Sequence, residues 1–288
     1  MRLHYLGPAG TFSESAAQAF GAPQAAAVTP CPSIAAVIDA VARGQGPGVV
    51  PYYNLIDGLV QESLDRILHA QLQIRGALHL PIQLALGGAQ DAAPSAPVYS
   101  HAKALAQCSD YLDAQHPGRT RIAVSSTAEG VERAAAEAAL AVAGLPSFAS
   151  RGVPVLQGDV TNRYFGRENY TEFLYIDRAD AAVAADAGPA NRCMLACAPQ
   201  TDRPGLLADL LGLLAFFDIN LARIHSRPAI AAAPTTLDPQ LFYFEIAGTI
   251  PPDVLDICTR SLTRALAGDD DTAVLFQLGQ YPLQTLTD

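Results

Sequence analysis

Two hydrophobic periods alternate along the first 178 residues. Short apolar runs with strand character are LHYL (3–6), PGVVPYYN (47–54), VYSH (98–101), TRIAV (120–124) and TEFLYIDR (171–178). Between them lie stretches with apolar residues every three or four positions, the period of a half-buried helix: GPAGTFSESAAQAF (7–20), CPSIAAVIDAVARG (31–44), LVQESLDRILHA (59–70) and AKALAQCSDYLDAQHPG (102–118). GALHLPIQLALGG (76–88) reads as one long strand and GVPVLQGDV (152–160) as another. Strands alternating with helices predict an α/β unit with a mostly parallel, doubly wound sheet. The segment ADAAVAADAGPAN (179–191) has no hydrophobic period and reads as a linker. After it the order becomes strand (RCMLACAP), helix (DRPGLLADLLGLLAFFD), strand (INLARIHSRPAI), strand (LFYFEIAGTI), helix (PPDVLDICTRSLTRALAG), strand (TAVLFQLGQY). That βαββαβ order predicts a separate ferredoxin-like domain over 192–288. AIAAAPTTLDPQ (229–240) reads as a long loop between its two middle strands.

Composition narrows the function classes. The 288 residues are half hydrophobic and carry a net charge of −10. An acidic chain is a poor partner for nucleic acid or anionic lipid, whereas a local basic pocket for a small anion stays compatible with it. No apolar run approaches the ~20 residues of a membrane span. The opening residues carry no signal-peptide pattern, so a cytoplasmic protein is expected. The five cysteines (31, 108, 193, 197, 258) lack metal-ligand spacing and read as reduced structural thiols.

The candidate chemistry sits where strands feed helices. GPAGTFSES offers Thr11 and Ser13 at a glycine turn, SST offers Ser125, Ser126 and Thr127, and YSH offers Ser100 and His101. Each is either an ordinary capped helix or an anion site built from backbone N–H groups and hydroxyls. Three such turns on one parallel sheet would converge at the carboxyl ends of its strands, where sheets of this class bind ligands.

In this order, GPAGTFSESAA, VVPYYNLIDG, LHLPIQLALGG, VYSHAKALAQC, SSTAEG and NYTEFLYI resemble the motifs of the prephenate dehydratases. DRPGLLADLLGLLAFFDINLARIHSRP resembles the ACT regulatory domain that those enzymes carry. The resemblance implies a two-lobed, periplasmic-binding-protein-like catalytic domain over 1–178, with lobes of about 1–78 plus 150–178 and of 79–149, followed by the ACT domain. It implies conversion of prephenate to phenylpyruvate in phenylalanine biosynthesis, with no cofactor and no metal. Phenylalanine is the implied effector, and a homodimer or homotetramer the implied assembly. Thr171, Asn54, Ser126 and Tyr53 are then the expected catalytic residues. Thr11, Phe12, Ser13, Ser100, His101, Ser125, Thr127, Asn169 and Phe173 are expected to line the substrate. Arg203, Pro204, Gly205, Leu206 and Leu207, with His225, Ser226, Arg227 and Pro228, are expected at the effector.

The chain also departs from that pattern. The strand-end motif, usually Pro-Ile-Glu-Asn-Ser, reads Pro51-Tyr52-Tyr53-Asn54-Leu55, and the usual Thr-Arg-Phe reads Thr171-Glu172-Phe173. A glutamate facing a substrate carboxylate at ~4 Å would cost about 4 kcal/mol at an effective dielectric near 20. Arg163 or Arg167 is one expected replacement cation. Altered chemistry, such as a non-aromatising prephenate decarboxylation or an arogenate reaction, is a second reading, and a ligand-binding paralogue without turnover a third. In the ACT part His225 stands where glutamate is usual, which suggests a response that depends on pH near 6–7.

Overall fold

The computed structural model describes residues 2–22, 26–163, 166–181, 188–199, 204–228, 240–266 and 275–286. Internal contacts divide the chain into two compact units. One comprises Met1–Leu64, Leu78–Tyr175 and Thr285–Asp288, and the other Asp65–Ala77 with Ile176–Gln284.

In chain order, the elements begin with β1 (Arg2–Leu6), α1 (Phe12–Gly21), β2 (Ala27–Cys31), α2 (Ile34–Ala42), β3 (Gly48–Asn54), β4 (Gly58–Leu59), α3 (Gln61–His69) and β5 (Leu72–Pro81). They continue with β6 (Leu84–Gly88), β7 (Val98–His101), α4 (Ala102–Gln107), α5 (Ser109–Gln115), β8 (Arg121–Val124), α6 (Thr127–Ala136), β9 (Leu140–Gly144), α7 (Leu145–Ala149), β10 (Val155–Gln157) and β11 (Tyr170–Arg178). The remainder holds β12 (Arg192–Cys197), α8 (Leu206–Phe216), β13 (Leu221–Pro228), β14 (Gln240–Ala247), α9 (Pro252–Leu266), β15 (Leu275–Tyr281) and β16 (Leu283–Thr285).

The αβ part forms two sheets where the sequence pattern suggested one. The first runs β16-β5-β11-β3-β1-β2, with β4 on β3, and the second runs β10-β6-β9-β7-β8. β1 is parallel to β2 and β3, and β7 is parallel to β8 and β9. β6, by contrast, runs antiparallel to both β9 and β10, so the fold is mixed. The stretch read as one strand over 76–88 is split between the sheets at Pro81. Proline has no N–H to continue the ladder, and the next residue, Ile82, donates to Asn169 O at 2.8 Å. The helix expected over 102–118 is likewise two, α4 and α5. The Asn162 side chain accepts from Asp110 N at 3.2 Å and donates to Ser109 Oγ at 3.0 Å, capping α5 as a separate helix. The strands β2 and β9 escaped the sequence reading; LAVAG (140–144) is apolar throughout because β9 is covered on both faces.

Helices cover the second sheet on both sides. Leu84, Leu86, Val98, Leu140 and Val142 pack with Leu105 and Leu112, while Ala85, Tyr99, Ala141 and Ala143 pack with Val131, Ala134 and Phe148. The first sheet buries Leu3, Tyr5, Val49, Leu78, Leu80 and Phe173 against Ala16 and Ala17 of α1. Burying each of these larger side chains stabilises the fold by about 1.5–3 kcal/mol. Phe12 packs against a core of each sheet. Its ring lies so close to Gly144 that a Cβ there would stand 2.7 Å from Phe12 Cζ.

The second unit holds a four-stranded sheet ordered β13-β14-β12-β15, antiparallel at each pairing. Its elements follow the βαββαβ order that the pattern predicts. α8 buries Leu206, Leu210 and Leu214, one helical stripe, against Cys193, Leu195, Cys197, Phe242, Phe244 and Ile246. All five cysteines are free thiols. Burial pushes Cys108, Cys193 and Cys197 up to about 12, so they are protonated and inert at neutral pH. Residues 182–187 of the expected linker and 229–239 of the expected loop lie outside the described residues.

Candidate active site

Asn54, the last residue of β3, is buried and uses its whole amide. Nδ2 donates to Thr171 Oγ1 at 2.9 Å and to Tyr170 O at 3.1 Å, while Oδ1 accepts from Ile56 N and Asp57 N, each at 3.0 Å. An amide has two donors and one two-lone-pair acceptor, so all four positions are filled. Two strands and the turn after β3 are thereby tied at one point. The Thr171 oxygen accepts from Asn54, and its own O–H is left as a donor aimed elsewhere.

Consecutive strand residues project to opposite faces. Tyr53 therefore leaves β3 on the face opposite Asn54, and Glu172 leaves β11 opposite Thr171. On that second face the Tyr53 ring lies 6.3 Å from Tyr170, which stacks on His79 at 3.7 Å between centroids. Glu172 is 2 % exposed, and its carboxylate is 3.7 Å from His79 Nδ1. Tyr53, expected at the reacting group, is half-buried and makes tilted ring contacts with Tyr52 and Tyr170, on the face of β3 opposite Asn54. Phe173 shares the Thr171 face but is sealed in the core beneath it.

The turns are closed from within. Thr11 is the N-cap of α1, yet its side chain makes no cap bond and donates instead to Pro8 O at 2.9 Å. Glu14 accepts from Gly10 N at 2.6 Å and from Tyr5 OH at 3.1 Å. Burial and the Glu14 bond hold the Tyr5 phenol up at about 12. Ser13 is buried on α1. At the SST turn, Ser126 accepts from Glu129 N at 3.0 Å as the cap of α6, and Glu129 accepts from Ser125 N at 3.0 Å and from its hydroxyl. Those two bonds hold the Glu129 carboxyl below its usual range. Thr127, half-buried, is the first residue of α6. Each of these helix starts already holds a carboxylate of its own, Glu14 or Glu129. The sequence carried the signal: Thr11-x-x-Glu14 and Ser126-x-x-Glu129 both have capping-box spacing. At the third turn Ser100 is fully buried and donates to Val142 O at 2.5 Å, so it locks β7 to β9 and is corrected from ligand to core. His101 caps α4, its Nδ1 accepting from Lys103 N at 3.3 Å.

Asn169 and Arg163 line one crevice with Asp159, Thr161, Asn162 and Glu168. Asn169 is buried with its Oδ1 unpartnered. Arg163 pairs with Asp159 at 2.9 Å and Glu168 at 2.6 Å, so it already answers two carboxylates. Arg167 is exposed.

The sequence profile described as Prephenate dehydratase matches residues 3–181. The chain belongs to the prephenate dehydratase family. A bifunctional chorismate mutase/prephenate dehydratase of Pseudomonas aeruginosa is 30% identical over 292 residues, covering 99% of this chain and 74% of that protein. The crystal structure of a prephenate dehydratase from Staphylococcus aureus superposes with a TM-score of 0.79 at 28% identity, covering 98% of this chain and all of the other. One from Arthrobacter aurescens, solved in complex with L-Phe, gives 0.82 at 25% identity over 98% and 90% of the two chains.

The two segments likened to the family's effector motifs lie on separate elements of the second unit. Pro204 and Gly205 lead into α8, where Gly205 takes φ 85°, a left-handed conformation that costs a side-chain-bearing residue energy. Leu206 is buried and Leu207 partly exposed; Arg203 lies outside the described residues. His225, Ser226, Arg227 and Pro228 close β13, where Ser226 and Pro228 are exposed. Arg227 forms an ion pair with Asp65, which also accepts from Tyr243 OH at 2.8 Å. Burial, with Arg223 close by, holds His225 below the ordinary imidazole range. Any pH response of His225 therefore lies on the acid side of the expected window. Sequence reasoning missed Asp65, Glu14, Glu129 and His79; among these only the two capping glutamates had a legible spacing.

Proposed function

We propose that this chain is a prephenate dehydratase, taking prephenate to phenylpyruvate, carbon dioxide and water. The observation that carries the reading is the Asn54–Thr171 bond, which presents a preorganised hydroxyl donor at a strand end. As the ring carboxylate leaves as carbon dioxide, its bonding electrons enter the ring and expel the C4 hydroxyl. The Thr171 O–H donates a hydrogen bond to that departing oxygen while negative charge builds on it, and a proton from solvent completes the water. A single fixed donor of this type lowers the barrier by about 3–4 kcal/mol. Aromatisation supplies the driving force, and the residues need only hold two carboxylates and the leaving oxygen. Asn169, with its open Oδ1, is our candidate for contacting the substrate beside Thr171.

Residues 1–178 form the catalytic domain in this reading, as two lobes of periplasmic-binding-protein type. Residues 192–288, after a linker over 179–191, form an ACT domain that binds phenylalanine near Gly205 and His225–Pro228. The βαββαβ order and the L-Phe bound to the Arthrobacter relative support that part. A homodimer or homotetramer follows from the same reading, supported by Phe216 on α8, which is 80 % exposed. The test is product identification. Purified chain mixed with prephenate at neutral pH should yield phenylpyruvate by mass spectrometry and ultraviolet absorbance. A non-aromatic decarboxylated keto acid, or no product from prephenate or arogenate, would reject it.

A further inference from the structure

The chain has one lysine. Of its 18 basic side chains 17 are arginine, and the exception is Lys103. Lys103 stands in the first turn of α4, where its N–H is held by His101 Nδ1 at 3.3 Å. Its Nζ lies 3.3 Å from Asp57 Oδ2, with the Lys103 side chain 64% exposed. Asp57 belongs to the turn that Asn54 closes, its N–H donating to Asn54 Oδ1 at 3.0 Å. Asn54 in turn donates to Thr171 Oγ1 at 2.9 Å. A hydroxyl on the first sheet and an ammonium at a turn of the second are thus joined through two side chains.

Two arginines of the same unit are bound in a different way. Arg163 answers Asp159 and Glu168, and Arg151 answers Glu132 with two nitrogens. A guanidinium is a planar fork that matches one carboxylate in a fixed plane. An ammonium on a four-carbon stem has three rotatable donors and can meet two carboxylates at once. The Asp57 contact takes one of them. We propose that Lys103 is a substrate-binding residue: its ammonium receives a carboxylate of the dicarboxylate substrate, and Asp57 orients it toward the Asn54–Thr171 pair. This rests on the dehydratase reading for the substrate and supplies a cation that the motif positions themselves lack.

A single lysine makes the test direct. Reductive methylation with ¹³C-formaldehyde keeps the charge and labels only Lys103 and the terminal amine. On labelled Thr171→Ala protein, prephenate should move the Lys103 methyl resonance saturably and leave the terminal one in place. In unlabelled protein, Lys103→Gln should raise KM for prephenate about tenfold with kcat within about threefold, and Lys103→Arg should recover part of the loss. A moving resonance in a chain that forms no phenylpyruvate upholds Lys103 as a ligand and sinks the reaction. Turnover with an unmoved resonance, or with KM unchanged in Lys103→Gln, overturns Lys103 and leaves the reaction standing.

Discussion

Glu172 follows Thr171 in the chain but leaves the strand on its other face, and this changes the meaning of the charge reversal. Read from the motif alone, a glutamate in place of arginine threatens a dianionic substrate. Its carboxylate instead stands beside His79, whose ring stacks on Tyr170, and is nearly sealed from water. Restoring the family's usual residue should therefore do harm. Glu172→Arg would set a cation at a buried position beside His79, and an uncompensated buried charge costs about 3–5 kcal/mol. Thermal or denaturant unfolding should show that loss, with no fall in KM for prephenate. A stable variant with tighter binding would mean that position 172 reaches the substrate after all. Tyr53 follows the same logic. Its identity was plain in the sequence, but the face it occupies depends on which strands flank β3, which is a tertiary fact.

At the level of elements, the helix starts and one close approach matter most. The strand-to-helix turns were legible as turns because glycine, serine and threonine mark them. Their occupancy was not, since it depends on Glu14 and Glu129 folding back onto Gly10 and Ser125. Gly144, which ends β9, admits the Phe12 ring from α1 and so lets one aromatic serve two cores. Gly144→Ala should cost about 1–3 kcal/mol by overpacking, read as a fall in melting temperature. No change would mean that the ring has room to shift. β13 carries a titrating group. His225 has a lowered pKa in the fold, first through burial and then through Arg223. The folded chain thus favours neutral imidazole more than the unfolded chain does. That stabilisation is complete above the unfolded value of about 6.5 and is lost as pH falls through the lowered folded value. His225→Gln should accordingly cost more melting temperature at about pH 7.5 than at about pH 5.5. An equal cost at both would remove His225 as a titrating group.

For the whole molecule, alternation of strand and helix periods followed by a change of grammar near residue 179 was enough to separate an αβ part from a βαββαβ part. The contact units draw their line differently: Asp65–Ala77 groups with the later residues, because the end of α3 and the start of β5 contact them. No local period reports such an exchange. The splitting of residues 76–88 between two sheets was equally hidden, although Pro81 marks the place in hindsight. The candidate site was legible as a set of motif positions. Its working geometry, with Asn54 tying Thr171, Tyr170 and the turn after β3 together through four hydrogen bonds, required two residues 117 positions apart to meet. The measurement that tests this most directly is the rate of phenylpyruvate formation by Thr171→Ala and Thr171→Ser beside the unaltered chain. Loss of the donor should lower kcat by about 10²–10³ in the alanine variant with little change in KM, and serine should keep the rate within about tenfold. An alanine variant within about threefold of the unaltered chain would contradict the assignment of Thr171 as the donor to the leaving oxygen.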